Sequence, residues 1–403
     1  MWYQRQIEQS WPAEATLPVR SLVGVRQCGK SSVLHHLAGE ARTRVTLDDP
    51  AACELARSDP MLFLETWRPP VLIDECHLAP GLFPALKAWV DRERLSREGA
   101  LAGVRDPFWL TGSHRLVLDA GARESLAGRV THTTLHPLSV AELAAASSYS
   151  LPDVLLRGGF PELYLPGAPA PTRYFNDYIS TAVERDAALG SGVEKLSAFL
   201  RMTRLLAGRV ANLLNASELG RDAGVRSSTI EDWITALERT GLLYRVEPFH
   251  SNRASRIVKA PKPMFCDVGL AARLQGWSSA EPLMLSPAIG ALFENLVFLE
   301  LIKTRDHLRL DLGVMHLRTR DGDEVDFVVE ASDNRFLLIE VKLSRSAADA
   351  YRRPPFVHRV LGDVPFWVVT SGDGPVVRRP GLHVVPLPHL ADELVAFAGL
   401  VPE

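Results

Sequence analysis

The chain has 403 residues, which is too long for one ordinary hydrophobic core and indicates roughly two to four domains. Its 46% hydrophobic and 23% charged residues exclude extensive disorder, and no apolar run is long enough to span a bilayer or form a leader. A net charge of −3 excludes a uniformly basic nucleic-acid coat but not a local patch. Four cysteines without metal or redox spacing favour a reduced, cytoplasmic setting.

A glycine-rich loop follows a short apolar run near the amino terminus. The segment SLVGVRQCGKSSVLHHLAGE contains the pattern G-x-x-x-x-G-K-S, and a helical pattern follows it. Glycines let backbone amides point at phosphate oxygens, and the new helix N-terminus adds a favourable dipole. We expect Lys30 to reach the β- and γ-phosphates of ATP and Ser31 to ligate Mg²⁺. The predicted nucleotide-binding residues are Gly24, Val25, Arg26, Gln27, Cys28, Gly29, Lys30, Ser31 and Ser32.

The stretch PPVLIDECHLAP supplies the second half of such a site. Residues 71–73 are predicted to form a buried parallel strand, with Asp74 and Glu75 at its C-terminal end, where ligands bind in open α/β sheets. Asp74 would hold hydrated Mg²⁺, and Glu75 would polarise the attacking water. A further strand, PFWLTGS, ends in residues 111–113, where a polar side chain such as Ser113 could sense the γ-phosphate or the water.

Five segments resemble, in order, those of prokaryotic AAA-type ATPases with a C-terminal domain of uncharacterised function: GVRQCGKSS, LIDECHLAPGLFPALKAWVD, FWLTGSHRL, ESLAGRV and LHPLSVAEL. The resemblance runs over nearly the whole chain and implies an AAA-like ATPase core over residues 1–150. It also makes Arg129, in LAGRV, a candidate γ-phosphate-sensing arginine that acts in cis or from a neighbouring subunit. A structural role for Arg129 is the alternative, and Arg115 is a weaker candidate.

The middle of the chain turns helical after a Pro/Gly-rich stretch. Residues 151–194 are predicted to form a helical lid or linker. Residues 195–262 follow the helix, turn, helix, strand order of a winged helix and carry twelve Lys/Arg against six Asp/Glu. Glu231 and Asp232 on the second helix would repel a DNA backbone, so a protein-docking module is the alternative to DNA binding. Five basic residues are candidates for phosphate contacts: Arg226, Arg253, Arg256, Lys259 and Lys262.

The last predicted domain, residues 263–403, begins with a long amphipathic helix that contains Glu294. Two strands then flank a turn at residues 332–334, and a hairpin would bring Asp326 close to Glu340 and Lys342. Strand alternation places these last two residues on one face, with stems roughly 6.6 Å apart. An edge strand that uses charge to prevent sheet-to-sheet pairing is the alternative explanation of LLIEVKLS.

This order of a helix with Glu, a strand with Asp and a strand with E-x-K resembles the PD-(D/E)XK nuclease fold. The resemblance implies that Asp326 and Glu340 ligate Mg²⁺, with the Val341 carbonyl as a third ligand. It also implies that Lys342 orients the attacking water and that Glu294 assists from the helix. Asp326 lacks the preceding proline of the pattern, and the fold alone does not imply catalysis.

The sequence therefore predicts an α/β fold class. A P-loop, AAA-like parallel-sheet core is followed by a helical, winged-helix region and an α/β restriction-endonuclease-like domain. We expect a cytoplasmic ATPase, with ATP and Mg²⁺ as cofactors, that acts on or is regulated by nucleic acid, DNA rather than RNA. No membrane partner is expected, and a homo-oligomer or a protein partner is compatible with the pattern. The alternative is an ATP-dependent regulatory switch or interaction module whose nuclease fold is catalytically inert.

Overall fold

The computed structural model describes residues 2–12, 17–40, 42–95, 106–112, 126–146, 150–188, 193–249, 258–332, 334–351, 353–380 and 382–399. Over this described part, the chain divides into two compact units. The first, here the amino-terminal unit, contains residues 4–136 and 306–308, and the second contains residues 1–3, 137–305 and 309–403. No helix in the described ranges is both long and apolar enough to cross a membrane.

The bounds of the elements follow in chain order. Up to residue 134 they are α1 (Ile7–Ser10), β1 (Val19–Val23), α2 (Lys30–Ala38), β2 (Thr43–Thr46), α3 (Pro50–Ser58), α4 (Pro60–Thr66), β3 (Val71–Asp74), α5 (Leu82–Leu95), β4 (Phe108–Gly112) and β5 (Val130–Thr134). From there to residue 308 they are α6 (Val140–Ala146), α7 (Leu151–Arg157), α8 (Pro171–Tyr178), a π-helix (Ile179–Ala188), α9 (Leu196–Ala207), α10 (Ala216–Ala223), α11 (Ser227–Arg239), β6 (Leu243–Val246), β7 (Lys262–Phe265), α12 (Val268–Leu274), α13 (Ala280–Met284) and α14 (Ala288–Leu308). The remaining elements are β8 (Leu312–Arg318), β9 (Glu324–Ala331), β10 (Phe336–Lys342), α15 (Arg345–Ala350), α16 (Pro355–Leu361), β11 (Phe366–Thr370), β12 (Val377–Arg379), β13 (Leu382–Pro386) and α17 (Leu390–Ala398).

A parallel sheet forms the centre of the amino-terminal unit. Within the described residues its five strands have the order β2-β3-β4-β1-β5, and every neighbouring pair is parallel. Strand β1, an interior strand between β4 and β5, is buried along its whole length. Because the strands are parallel, the segments that follow β1, β3 and β4 lie at the same edge of the sheet. The predicted α/β fold with a parallel-sheet core is confirmed.

The LHPLSVAEL segment owes its local structure to a helix cap at the start of the second unit. The Ser139 amide donates to the Glu142 carboxylate at 2.8 Å, and the Glu142 amide donates to the Ser139 hydroxyl at 3.1 Å. This reciprocal arrangement is a capping box, which satisfies amides that the first turn of α6 cannot pair internally. The serine and glutamate of this segment therefore have a structural role.

The helical region contains the predicted succession of helix, turn, helix and strand. The Asn215 side chain caps α10 by accepting from the Glu218 amide at 3.1 Å, and Gly224 ends the helix with a φ of 77°. Helix α11 buries one apolar face, which includes Trp233 and Ile234. The hairpin of β6 and β7 follows, with Val246 opposite Lys262. The winged-helix assignment stays a prediction that this order supports.

A mixed sheet forms the carboxyl-terminal part of the second unit. Its six strands in the described ranges have the order β12-β13-β11-β10-β9-β8. Strand β10 pairs with β9 in antiparallel and with β11 in parallel orientation, so it is an interior strand of this sheet. The alternative reading of LLIEVKLS as an edge strand is therefore wrong, because both edges of β10 are already hydrogen-bonded. Its charged residues need an explanation from the side chains around them.

Candidate functional site

The loop between β1 and α2 contains left-handed backbone conformations, which residues other than glycine rarely adopt. Gln27 and Gly29 have φ values of 61° and 98°, in the left-handed region. A Cβ on Gly24 would lie 2.2 Å from the Leu135 carbonyl oxygen, so no side chain fits there. The Cys28 thiol is buried and donates to the same carbonyl at 3.3 Å. The loop is therefore seated tightly against the chain segment that follows β5.

Gly24→Ala should disturb this loop, because the added methyl group must displace either the loop or Leu135. We expect the free energy of unfolding to fall by about 1–3 kcal/mol and ATP affinity to fall with it. Chemical denaturation and nucleotide titration measure the two effects. Gly81→Ala is the matched control, since a Cβ there meets only the flexible Pro60 ring, at 3.9 Å. Equal stability of the two variants would contradict this account of the loop.

The side chains of Lys30, Ser31 and Asp74 meet at this edge of the sheet. The buried Lys30 ammonium donates to the carbonyl oxygens of Val25 at 2.9 Å and Gly24 at 3.2 Å. The Ser31 hydroxyl donates to the Asp74 carboxylate at 2.9 Å. The hydroxyl of Thr111, at the end of β4, donates to the same Asp74 oxygen. Adjacent hydroxyl and carboxylate oxygens suit Mg²⁺, which binds few protein ligands and completes its shell with water and phosphate oxygens.

Glu75 follows β3 with a backbone in the left-handed region, at a φ of 54°. Its amide donates to the Thr111 hydroxyl at 3.0 Å, and its carboxylate lies 3.0 Å from the His77 ring. Thr111 therefore ties together the backbone of Glu75 and the side chain of Asp74. Among residues 111–113 the sequence reasoning chose Ser113 as the site residue, which lies outside the described residues. Thr111 is the residue of this segment that the structure places in contact with both Asp74 and Glu75.

Arg5 is a part of this site that the sequence reasoning missed. Its buried guanidinium donates to the carbonyl oxygens of Cys28 at 3.0 Å and His136 at 2.7 Å. It thus joins the phosphate-binding loop to the end of the segment that follows β5. A lone arginine far from the motif carries no pattern that would have identified it.

Arg129 lies at the opposite edge of the sheet from the loop. It immediately precedes β5, whose first residue pairs with Val19, whereas the loop follows Val23. Four strand residues at about 3.3 Å each separate the two edges by about 13 Å. The guanidinium forms a two-point ion pair with Asp91, at 2.6 and 2.9 Å. This placement speaks against a role for Arg129 on its own chain's nucleotide, and action from a neighbouring subunit stays a prediction.

The carboxylates predicted in the carboxyl-terminal domain come together. Asp326 on β9 accepts the Val341 amide at 2.8 Å, and Glu340 on β10 accepts the Lys342 ammonium at 2.5 Å. Burial, followed by repulsion from Asp326, raises the pKa of both Glu340 and Glu294. Burial also raises the pKa of Asp326. Within the described residues, no group of three or more His, Cys, Asp or Glu side chains is arranged to hold a metal ion.

Lys262 enters this acidic cluster from β7. Its side chain is 1% exposed, and its ammonium contacts Glu294 at 2.7 Å and Glu324 at 2.5 Å. Burial alone would lower the pKa of Lys262, but the charges of Glu294, Asp326 and Glu324 outweigh it and raise the pKa. The prediction that Lys262 reaches DNA phosphates is therefore wrong, because this side chain is enclosed by carboxylates. Arg226 and Lys259 are exposed, and Arg253 and Arg256 lie outside the described residues.

Comparison with known protein families identifies the class of domain that the chain contains. The AAA domain family matches residues 17–144, so the chain carries an AAA-type ATPase domain. Two domains of unknown function, DUF8612 and DUF4143, match residues 148–281 and 289–390. A Walker-type ATPase of Pyrococcus abyssi aligns with a TM-score of 0.41 and 14% identity, over 68% of this chain and 96% of that one.

The uncharacterized protein Rv2008c of Mycobacterium tuberculosis is 31% identical over 318 residues, which cover 78% of this chain and 68% of that protein. Mb2031c of Mycobacterium bovis gives the same values. An uncharacterized protein of Haemophilus influenzae is 24% identical over 238 residues, or 56% of each chain. The chain belongs to the family of these mycobacterial proteins.

Proposed function

We propose that this chain binds ATP with Mg²⁺ and hydrolyses it at the edge of the sheet where β1, β3 and β4 end. The observation that carries the proposal is the hydrogen bond of 2.9 Å between Ser31 and Asp74, which joins the two halves of the motif. Phosphate release from Mg²⁺-ATP by the purified full chain, with calorimetric titration of ATP, tests it. Folded protein that gives neither heat nor phosphate would contradict the proposal.

The roles of the residues follow from their positions. The loop amides and Lys30 bind the phosphates, and Lys30 exchanges the Gly24 and Val25 carbonyls for phosphate oxygens. Ser31 and Asp74 hold Mg²⁺, which when bound neutralises charge on the phosphates. Glu75 lies beside Asp74 and orients the attacking water, while Thr111 fixes the geometry of both acidic residues. These are the positioning and electrostatic tasks that phosphoryl transfer requires.

We propose as a second function that the helical region binds nucleic acid through α9 rather than α11. Helix α11 exposes Glu231 and Asp232, which repel phosphates. Arg201 and Arg204 are exposed on α9 and line a groove of about 820 Å³ together with Trp277. Guanidinium groups beside an aromatic ring suit a nucleic acid, because phosphates pair with the charge and a base stacks on the ring.

The double variant Arg201→Ala/Arg204→Ala should weaken binding of labelled single-stranded DNA by about tenfold or more at low salt. The slope of log affinity against log salt should also become less steep by roughly 1.4, because two phosphate contacts are lost. Fluorescence anisotropy at several salt concentrations measures both. Arg239→Ala, which removes an exposed charge from α11, is the control. Equal affinities of all variants would contradict the assignment to α9, and absence of DNA binding would favour the protein-docking alternative.

Two candidate functions remain for the domain that contains the carboxyl-terminal sheet. Mg²⁺-dependent hydrolysis of nucleic acid would use Asp326, Glu340, Lys342 and Glu294, whereas an ATP-dependent switch would use this domain without catalysis. The enclosure of Lys262 by Glu294 and Glu324 supports the switch, because the acidic cluster already holds a cation. Incubation of plasmid with Mg²⁺ or Mn²⁺ distinguishes them: cutting that Asp326→Ala abolishes would support the nuclease.

A further inference from the structure

The acidic cluster of the carboxyl-terminal sheet has its own positive charges, and the most buried of them comes from outside that sheet. Lys262 belongs to the hairpin β6–β7 and is 1% exposed, with its ammonium at 2.5 Å from Glu324 and 2.7 Å from Glu294. Glu324 also pairs with Arg318 at 3.2 Å, and Glu340 pairs with Lys342. Each of these three carboxylates thus has a cationic partner in the same unit.

Each carboxylate of the cluster has at least one oxygen that is already engaged. Asp326 accepts the Val341 amide at 2.8 Å, and Glu340 accepts the Lys342 ammonium at 2.5 Å. A buried carboxylate cluster is destabilising unless a cation offsets its charge or protonation removes it. A lysine held by two carboxylates supplies the offsetting positive charge from within the chain.

We propose that Lys262 is a built-in counter-ion that takes the place of a divalent metal, so that the cluster of Glu294, Glu324, Asp326 and Glu340 binds no Mg²⁺ or Mn²⁺ in the wild-type chain. The ammonium joins the hairpin to α14 and β9 through ion pairs. The cluster then serves to hold these elements together. It does not activate water.

The proposal is tested by calorimetric titration of Mn²⁺ into the full chain without nucleotide. Every protein carries Asp74→Asn, which removes the carboxylate ligand of the ATP site. With Lys262 present, we expect no saturable binding. Lys262→Ala should open a site that binds about one Mn²⁺ per chain, because the carboxylates lose their partner and hard oxygen ligands remain. Adding Asp326→Asn to this variant should abolish the binding.

Two further measurements make the result decisive. Mn²⁺ should raise the Tm of Lys262→Ala by several degrees and leave that of the control Lys259→Ala unchanged, because binding to the folded state stabilises it. If Lys262→Ala does not fold, Lys262→Gln, which keeps a long polar side chain and leaves all four carboxylates in place, should show the same gain of Mn²⁺ binding.

Either of two results would overturn the proposal: saturable Mn²⁺ binding with Lys262 present that Asp326→Asn removes, or a folded Lys262 variant that gains no site. ATP hydrolysis is measured separately in chains with Asp74 intact. A failure of the proposed ATPase activity is therefore distinguishable from a failure here.

Discussion

Lys30→Ala is expected to reduce ATP hydrolysis at least about 100-fold, because it removes a positive charge that the transition state needs. ATP affinity should fall as well, since the same ammonium binds the phosphates in the ground state. The measurement is phosphate release across a range of ATP concentrations, together with calorimetric titration of the nucleotide. Lys87→Ala, at an exposed lysine of α5, is the control for loss of a charge elsewhere in the amino-terminal unit.

The position of Lys30 makes this test specific. In the structure its ammonium contacts only the Gly24 and Val25 carbonyls among the described residues, so the variant breaks contacts within the loop itself. Circular dichroism and the unfolding curve establish whether the variant is folded. A folded Lys30→Ala protein that hydrolyses ATP at the wild-type rate would place the active site elsewhere.

Glu75→Gln should separate binding from turnover. We expect ATP affinity within about twofold of wild type and a turnover reduced by about 100-fold or more, because the amide cannot accept a proton from the attacking water. A trapped ATP complex, detected by filter binding, is the expected signature. The left-handed backbone of residue 75 and its amide contact with Thr111 do not depend on the carboxylate, so the fold should be preserved.

Glu54→Gln, at an exposed glutamate of α3, is the matched control for the same change in chemistry. Unchanged hydrolysis by Glu75→Gln would mean that another group orients the water. Loss of ATP binding by Glu75→Gln would instead mean that this carboxylate shapes the loop rather than the reaction.

The contact between Asp74 and the end of the glycine-rich loop was predictable from sequence because its determinants are local. Six loop residues between a strand and a helix dictate their own backbone, and an apolar strand followed by Asp74 and Glu75 indicates the neighbouring end of the sheet. Parallel pairing then brings these segments together. The same reasoning could not identify Arg5, whose partners Cys28 and His136 are far away in sequence.

Three interpretations depended on facts that are absent from local sequence. Charges in LLIEVKLS are equally compatible with an edge strand and with a buried cluster, and only the pairing of β10 on both sides decides between them. Lys262 counted as one more basic residue until its carboxylate neighbours were known. For Arg129, the register of β5 against β1 determined the edge of the sheet at which it lies.

The buried position of Arg5 affects the choice of a fragment that contains the glycine-rich motif. The AAA family match begins at residue 17, whereas Arg5, which ties down the loop carbonyl of Cys28, precedes it. A fragment that begins at the family boundary would keep the whole glycine-rich motif. It would lose the Arg5 hydrogen bonds that hold the loop in place. A fragment that retains these contacts must therefore begin at or before residue 5, upstream of the family match.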